Sequence, residues 1–295
     1  MLAEMGLSVW WPMPEALALP DPPPSVRAEP QNASESIASR AYQESARAQN
    51  DAKALRAHPA PPIRPDAGLQ PLPEGIANMG WAALTQAVAT CQACAMCLGR
   101  QTPVWTAPPD GLRADWLFVG DPPDEAQERA ARPFVQEPGQ LLDNMLLALS
   151  LQRWSAELGA DTDAAHTAYL SLVLKCRPAR PTATDANALA TCSHYLRREI
   201  ALLQPKVIVT MGRHAMQVLL GQAQPDALRL PLGKLRNTVW YDRGVPVVVT
   251  YPPVYLLRNG QDKAAAWHDL CLAAEVAAGC YLPSGAAPAG EGVTA

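Results

Sequence analysis

The chain has 295 residues, a hydrophobic content of 48% and a formal net charge of −4 at pH 7. That length allows one large domain or two small ones, and the hydrophobic share allows a buried core. The charge balance excludes a uniformly basic nucleic-acid coat, so a nucleic-acid site must be a local patch. No apolar run approaches the ~20 residues of a membrane-spanning helix.

The first segment, residues 1–13, begins MLAEMGLSVWW; it lacks a basic start, carries Glu4 and is broken at Pro12. This pattern argues against a secretory signal and makes a reducing cytoplasm the expected compartment. Seven cysteines in such a compartment are expected as metal ligands rather than disulfides. Within the segment, GLSVWW (Gly6–Trp11) is too apolar to be idle. It either folds back onto the domain or serves as a tethered peptide for a protein partner. LSVW loosely resembles the leucine-plus-aromatic peptides that bind bacterial sliding clamps.

Residues 14–78 read as a disordered linker rich in proline and alanine. Thirteen of the thirty prolines fall between Pro12 and Pro73, and β-branched and aromatic residues are scarce there. Such a stretch buries too little apolar surface to offset its ordering entropy. Residues 283–295 read as a disordered tail.

Residues 79–282 change character. The runs DWLFVG (115–120), AYLSLVLK (168–175), KVIVTMG (206–212) and VPVVVTY (245–251) are short, β-rich and bounded by turn residues. Helical patterns lie between and after them, over 139–151, 185–203, 213–220 and 261–277. Strands alternating with helices predict a parallel sheet covered on both faces, an α/β fold. Sites in such folds form at the carboxyl ends of strands, which selects the loops GDPPDE, KCRPAR, MGRHA and YPPVYLLRN.

Cys91-x2-Cys94-x2-Cys97 opens this domain, and Cys176 and Cys192 follow with fifteen residues between them. Two adjacent thiols plus two remote ones suit a four-thiolate site for zinc or an iron–sulfur cluster. Cys271 and Cys280 read as structural residues on or after an apolar helix.

The C-x2-C, then FVGDPPDEAQERAARPFVQEPGQLLDNML, KCRP, Cys192 with YL, KVIVTMG and YLLRN stand in one collinear order. Together they resemble the iron–sulfur uracil-DNA glycosylases of types 4 and 5, over about 200 residues from Trp81 to Tyr281. The resemblance implies a three-layer α/β/α sandwich around a four-stranded parallel sheet. It implies a [4Fe-4S] cluster on Cys91, Cys94, Cys176 and Cys192, with Cys97 spare. It also implies double-stranded DNA carrying a damaged or flipped base as the partner, and a monomer is expected because no self-association pattern appears. By the same resemblance Phe134 stacks on the extruded base, and Asp121 acts on the water or the sugar. Asp121 also suits a helix cap or turn. The resemblance makes Tyr255, Leu256, Leu257 and Arg258 a wedge for the minor groove, where apolar side chains unstack a step.

Three departures bear on activity. Pro252 stands where the family pattern has a histidine that donates to the base oxygen, and proline has neither that donor nor a backbone N–H. Leu172 stands where an asparagine reads the uracil edge. In GDPPDE, Pro122 and Asp124 replace glycines that permit close backbone approach. The expectation is therefore a DNA-repair N-glycosylase with weak or altered uracil activity. The alternative is a catalytically impaired lesion-binding module recruited through its N-terminal peptide and gripping phosphates with Arg132, Arg177, Arg180, Arg258 and Lys263. Ser171, Tyr251 and His214 lie where a substitute catalytic group would have to come from, whereas His194 and His268 fall in helical stretches.

Overall fold

The computed structural model describes residues 68–159, 161–178 and 185–281. Residues 6–11, most of the expected linker, Arg180 and the 283–295 tail lie outside the described residues. From a 3-10 turn at Ile76–Asn78 the chain runs through α1 (Trp81–Thr90), β1 (Trp116–Gly120), α2 (Glu125–Ala130) and α3 (Gln136–Ala148). β2 (Gln152–Arg153), β3 (Thr167–Leu172), α4 (Ala186–Leu203), β4 (Val207–Met211) and α5 (Arg213–Leu220) follow. The short α6 (Leu232–Leu235), β5 (Val239–Asp242), β6 (Val245–Thr250), α7 (Pro253–Arg258) and α8 (Lys263–Ala277) complete the order.

The sheet order is β2-β3-β1-β4-β6-β5. The four expected strands, β1, β3, β4 and β6, form its parallel centre. A two-residue β2 adds a parallel edge, and β5 adds an antiparallel edge through its hairpin with β6. Side chains alternate between the faces, as the period of two requires. Leu117 and Val119 of β1 enter one core with α1, α4 and α5, while Trp116 and Phe118 enter the other with α3, α7 and α8. The result is three layers, helices on both faces of a sheet whose central strands are buried on both sides. Among the described residues no helix is long and apolar enough to cross a membrane.

Two boundaries move from their expected places. Ile76, assigned above to the linker, is buried in the core and packs near α4; one isoleucine among prolines and polar residues carries no periodicity. YPPVYLLRN, read as a loop, contains the helix α7, with Pro253 at its first turn. Proline is at home there because the first N–H groups of a helix have no internal acceptor.

Register sets the site. Gly120 lies opposite Leu172 on one side and Met211 on the other, and Met211 lies opposite Thr250. Asp121, Val173, Gly212 and Tyr251 therefore leave the sheet side by side at its carboxyl edge. From β1 the chain travels outward to β2 and β3, then crosses to β4 on the other flank. That reversal of strand order opens a crevice at the end of β1.

Candidate functional site

Phe134 sits on this edge in a backbone conformation that few side chains adopt. Its φ is 50° and that of Gln136 is 57°, both left-handed, a conformation that costs an L-residue about 1–2 kcal/mol. Neighbouring groups hold it there. The Phe134 N–H donates to Oε1 of Gln127 at 2.9 Å. Nη1 of Arg153 donates to the carbonyls of Pro133 and Phe134 at 3.2 and 2.9 Å, and its Nε donates to Asp143 at 2.7 Å. Burial pulls the Arg153 pKa down, against the opposing charge of Asp143. Gly139 lets α3 approach: a Cβ there would lie 2.2 Å from the Phe134 carbonyl oxygen. The ring rests over Gly120, where a Cβ would lie 2.5 Å from Phe134 Cζ and 2.9 Å from Leu172 Cδ2. Phe134 and Leu172 thus meet above one glycine, and the wall beside the ring is hydrocarbon.

Asp121 faces the other way, as the residue after Gly120 must if the strand alternation continues. Its Oδ1 accepts the N–H groups of His214 at 2.8 Å and Ala215 at 3.0 Å, capping α5 from a neighbouring strand. Gly212, at φ 116°, makes room: a Cβ would lie 2.2 Å from Asp121 Oδ2. That second oxygen stands 3.8 Å from Nδ1 of His214, a buried nitrogen with no hydrogen-bond partner among the described residues. The cap expected as an alternative for Asp121 is therefore real, and it serves α5 rather than the helix that follows Asp121 in sequence. Asp124 caps that one, accepting the Gln127 N–H at 2.9 Å, and Glu125 pairs with Arg129.

Pro252 precedes α7 as its N-cap residue. The helical period turns Leu256 inward, where it is 0% exposed, so Leu256 is core rather than wedge. Leu257 and Val254 are the exposed apolar side chains of α7, and Arg258 lies at its end. Tyr255 stacks on Tyr251 with ring centroids 4.7 Å apart and donates its hydroxyl to Asp262 at 2.7 Å. That bond raises the Tyr255 pKa.

Of the three possible substitutes for the missing donor, two are committed elsewhere. Tyr251 lies between Tyr255 and the Arg236 guanidinium, which is 4.3 Å from the ring centroid. Ser171 is buried against the Glu199 carboxylate and the Lys175 ammonium, at 2.9 and 2.7 Å. His214 alone of the three adjoins Asp121.

Cys91 and Cys94 follow α1, Cys176 follows β3 and Cys192 lies on α4. Cys94, Cys176 and Cys192 are buried, and all the described cysteines are free. Burial raises Cys176 to about 11, with Cys94 and Cys91 adding to the rise against Arg100. Burial likewise raises Cys192 to about 12, with Cys176 and Cys94 adding to it against Lys175. Arg100 Nη1 donates to Cys176 Sγ at 3.5 Å, and the Lys175 N–H donates to Cys192 Sγ at 3.4 Å. Among the described residues no three His, Cys, Asp or Glu side chains are grouped to hold a metal ion. The donor set still suits a thiolate-bound group, because four cysteines that influence one another face two cationic residues.

Comparison with known proteins decides the family. The model of the uracil DNA glycosylase superfamily matches residues 109–271. The chain belongs to the uracil DNA glycosylase superfamily. It is 28% identical over 179 residues to the type-4 uracil-DNA glycosylase of Sulfurisphaera tokodaii, covering 60% of this chain and 75% of that protein. It is 29% identical over 177 residues to the type-4 uracil-DNA glycosylase of Thermotoga maritima, covering 60% and 82%. The corresponding protein of Pyrobaculum aerophilum is 26% identical over 194 residues, covering 64% and 90%.

Within this superfamily fold, Phe134 and Leu172 meet over Gly120 at the carboxyl edge, Asp121 turns from the same edge toward α5, and Pro252 follows β6, the strand beyond β4. Arg177, one of the expected phosphate contacts, is instead paired: its Nε donates to the buried Glu128 at 2.7 Å. Sequence reasoning missed Gln127, Arg153 and Gly212, which position Phe134 and Asp121. Their partners lie 7 to more than 90 residues away, so no local pattern announces them. Sequence reasoning also missed Val254, which is exposed one turn before Leu257.

Proposed function

We propose that the protein is a DNA N-glycosylase that hydrolyses the bond between a damaged, deaminated base and deoxyribose, with weak or altered activity on uracil. The reading rests on family membership and is carried by one observation: the Phe134 ring is clamped in a left-handed turn over Gly120, the last residue of β1, which Asp121 follows in the chain. In this mechanism the target base leaves the stack and lies against Phe134. Val254 and Leu257 occupy the gap in the duplex, and Arg258, Arg132 and Lys263 hold phosphates. Oδ2 of Asp121, left over from the cap, orients the attacking water and balances positive charge developing on the sugar. The departing base carries negative charge that Pro252 cannot receive. Loss of one preorganised donor typically costs about 10²–10³ in rate, so uracil is a slow substrate here.

Cys91, Cys94, Cys176 and Cys192 would hold the [4Fe-4S] cluster. When bound, it supplies iron–thiolate links that brace α1, the segment after β3 and α4 against one another. Burial favours the protonated thiols of Cys176 and Cys192, and they would have to bind the cluster as thiolates, with Arg100 and the Lys175 N–H donating to them.

A second reading is favoured by Leu172 packing against Phe134 above Gly120, which leaves no polar reader on that wall. In it the protein binds a distorted or abasic site without excision and is recruited through residues 6–11. One experiment separates the two readings. Anaerobically purified monomeric protein, checked for absorbance near 400 nm, is incubated with duplexes carrying uracil, hypoxanthine, xanthine or an abasic analogue. Strand cleavage after alkali with any base supports the glycosylase. Tight binding to all of them without cleavage supports the lesion binder.

A further inference from the structure

We propose that a cleft at the opposite end of the sheet is a binding site for a phosphate ester, separate from the base pocket. The cleft, of about 480 Å³, is lined by Ser193, His194, Arg197 and Arg198 of α4 and by Arg243 of the β5–β6 turn. The end of α5 and the Ile76–Asn78 turn form its remaining walls. Among the described residues no aspartate or glutamate lines it, although the whole chain carries a net charge of −4. Other clefts combine their basic residues with acids: Arg132 and Arg153 with Glu157 in one, Lys206 with Asp115 in another.

The three guanidiniums come from two elements and are differently held. Arg197 is fixed by Asp242, which is buried, and by the Val218 carbonyl, so one of the three charges is compensated. Arg198 bonds the Met79 carbonyl through Nε, which leaves its two terminal nitrogens for a ligand. Arg243 is exposed and takes φ 50°, followed by Gly244 at φ 86°. A two-residue hairpin turn with both φ positive favours asparagine or glycine at its first position. Arginine there runs against local preference. What it gains is a third guanidinium at the rim.

Guanidinium groups recognise phosphate oxygens through paired N–H donors, and several can surround one tetrahedral anion. The turn precedes β6 and the Pro252 loop follows it, so the two ends stand roughly 17 Å apart at ~3.3 Å per residue. A phosphate seated here is therefore not the one flanking a base held by Phe134. The source is either a terminal phosphate monoester or the diester backbone of a strand.

The test uses the full-length protein in phosphate-free buffer. Thermal melting is followed with inorganic pyrophosphate, and binding is followed by fluorescence anisotropy of a short labelled single strand with or without a 5′-phosphate. Arg243→Asn suits the positive φ and should fold at least as well as the parent. We expect pyrophosphate to raise the melting temperature of the parent, and Arg243→Asn and Arg198→Gln each to weaken that response about ten-fold. Preference for the 5′-phosphorylated strand assigns a monoester, and equal binding of both strands, weakened by the same substitutions, assigns the diester backbone. No response to pyrophosphate or either strand overturns the proposal, and so does a response that Arg243→Asn leaves unchanged. Neither result depends on base excision.

Discussion

The Nε of Arg177 donates to the carboxylate of Glu128 at 2.7 Å, and Glu128 is buried. This pair joins the segment after Cys176 to the helix that holds Phe134. Arg177 follows Cys176, while Glu128 lies on α2 next to Gln127, whose side chain holds the Phe134 N–H. The other oxygen of Glu128 accepts the Gln101 N–H at 3.0 Å. Removing the carboxylate leaves a guanidinium and an N–H without partners. Breaking a buried pair costs about 3–5 kcal/mol, and the partial exposure of Arg177 brings the expectation for Glu128→Ala to about 2–3 kcal/mol by the weakening of exposed pairs. Melting followed by circular dichroism should fall by several degrees, and absorbance near 400 nm should decay faster in air. Unchanged decay would separate the cysteine site from α2.

Arg153 should act on Phe134 without touching a base. Its guanidinium donates to the carbonyls on either side of Phe134, those of Pro133 and Phe134, and reaches the Gly139 carbonyl. Hydrogen bonds to charged groups contribute about 1.5–3 kcal/mol each, and they offset the left-handed φ of Phe134. Arg153→Met preserves much of the side-chain volume and removes the donors. We expect it to weaken capture of a flipped base at least ten-fold, measured with a fluorescent base analogue, while binding of undamaged duplex changes little. Arg153→Lys should recover only part, because one ammonium cannot span the same carbonyls.

The buried Lys175–Glu199 pair, at 2.7 Å, allows a cleaner stability test. Lys175→Met strands a carboxylate that is 1% exposed and should cost about 3–5 kcal/mol. Adding Glu199→Leu should recover much of that loss in denaturant titration, since the paired hydrocarbon replacement leaves no unpaired charge. Failure to recover would show that Ser171 and Tyr169, which also bond Glu199, depend on it more than Lys175 does.

The sequence and the structure agree where one pattern had one physical meaning. The runs around Val119, Leu170, Val209 and Val248 are too short for helices and too β-branched to be anything but central strands, and all four are. Phe134 stands out in the sequence because its motif is local, and it lies over Gly120 at the end of β1. Leu256 does not: beside Leu257 it reads as one of two exposed leucines, and only the helical turn after Pro253 sends one inward and the other out. Asp121 was half legible. Its position at a strand end suggested both a catalytic acid and a cap, but the helix it caps begins 92 residues later, at Arg213.

Pro252 offers a gain-of-function test. It occupies the N-cap of α7 with φ −69° and ψ 147°, an extended conformation open to other residues. Pro252→His therefore should leave the fold intact and restore a donor toward the base. We expect uracil excision to rise about 10²-fold, the contribution typical of one such donor. Little or no rise would mean that Leu172 closes the pocket to uracil. Leu172→Asn alone should be poorly tolerated, because Leu172 is 2% exposed and packs on Phe134.

Asp121 combines a structural and a chemical role, and two substitutions should separate them. Asp121→Asn keeps an oxygen that can accept the His214 and Ala215 N–H groups while removing the charge. Asp121→Ala removes both. A lost cap costs about 0.5–2 kcal/mol, so the alanine variant should melt lower by a few degrees and the asparagine variant should stay close to the parent. Any measured excision should fall at least 10²-fold in both, because only a charged Oδ2 can orient water and face a cationic sugar. Gly212→Ala supplies the control from the other side of the contact. Its Cβ would lie 2.2 Å from Oδ2, displacing the carboxylate without altering its charge, and the residue would be held at φ 116°. It should therefore lose both stability and excision. If Asp121→Asn excises as fast as the parent, the carboxylate is a cap alone and the water is held by another group, with His214 the nearest.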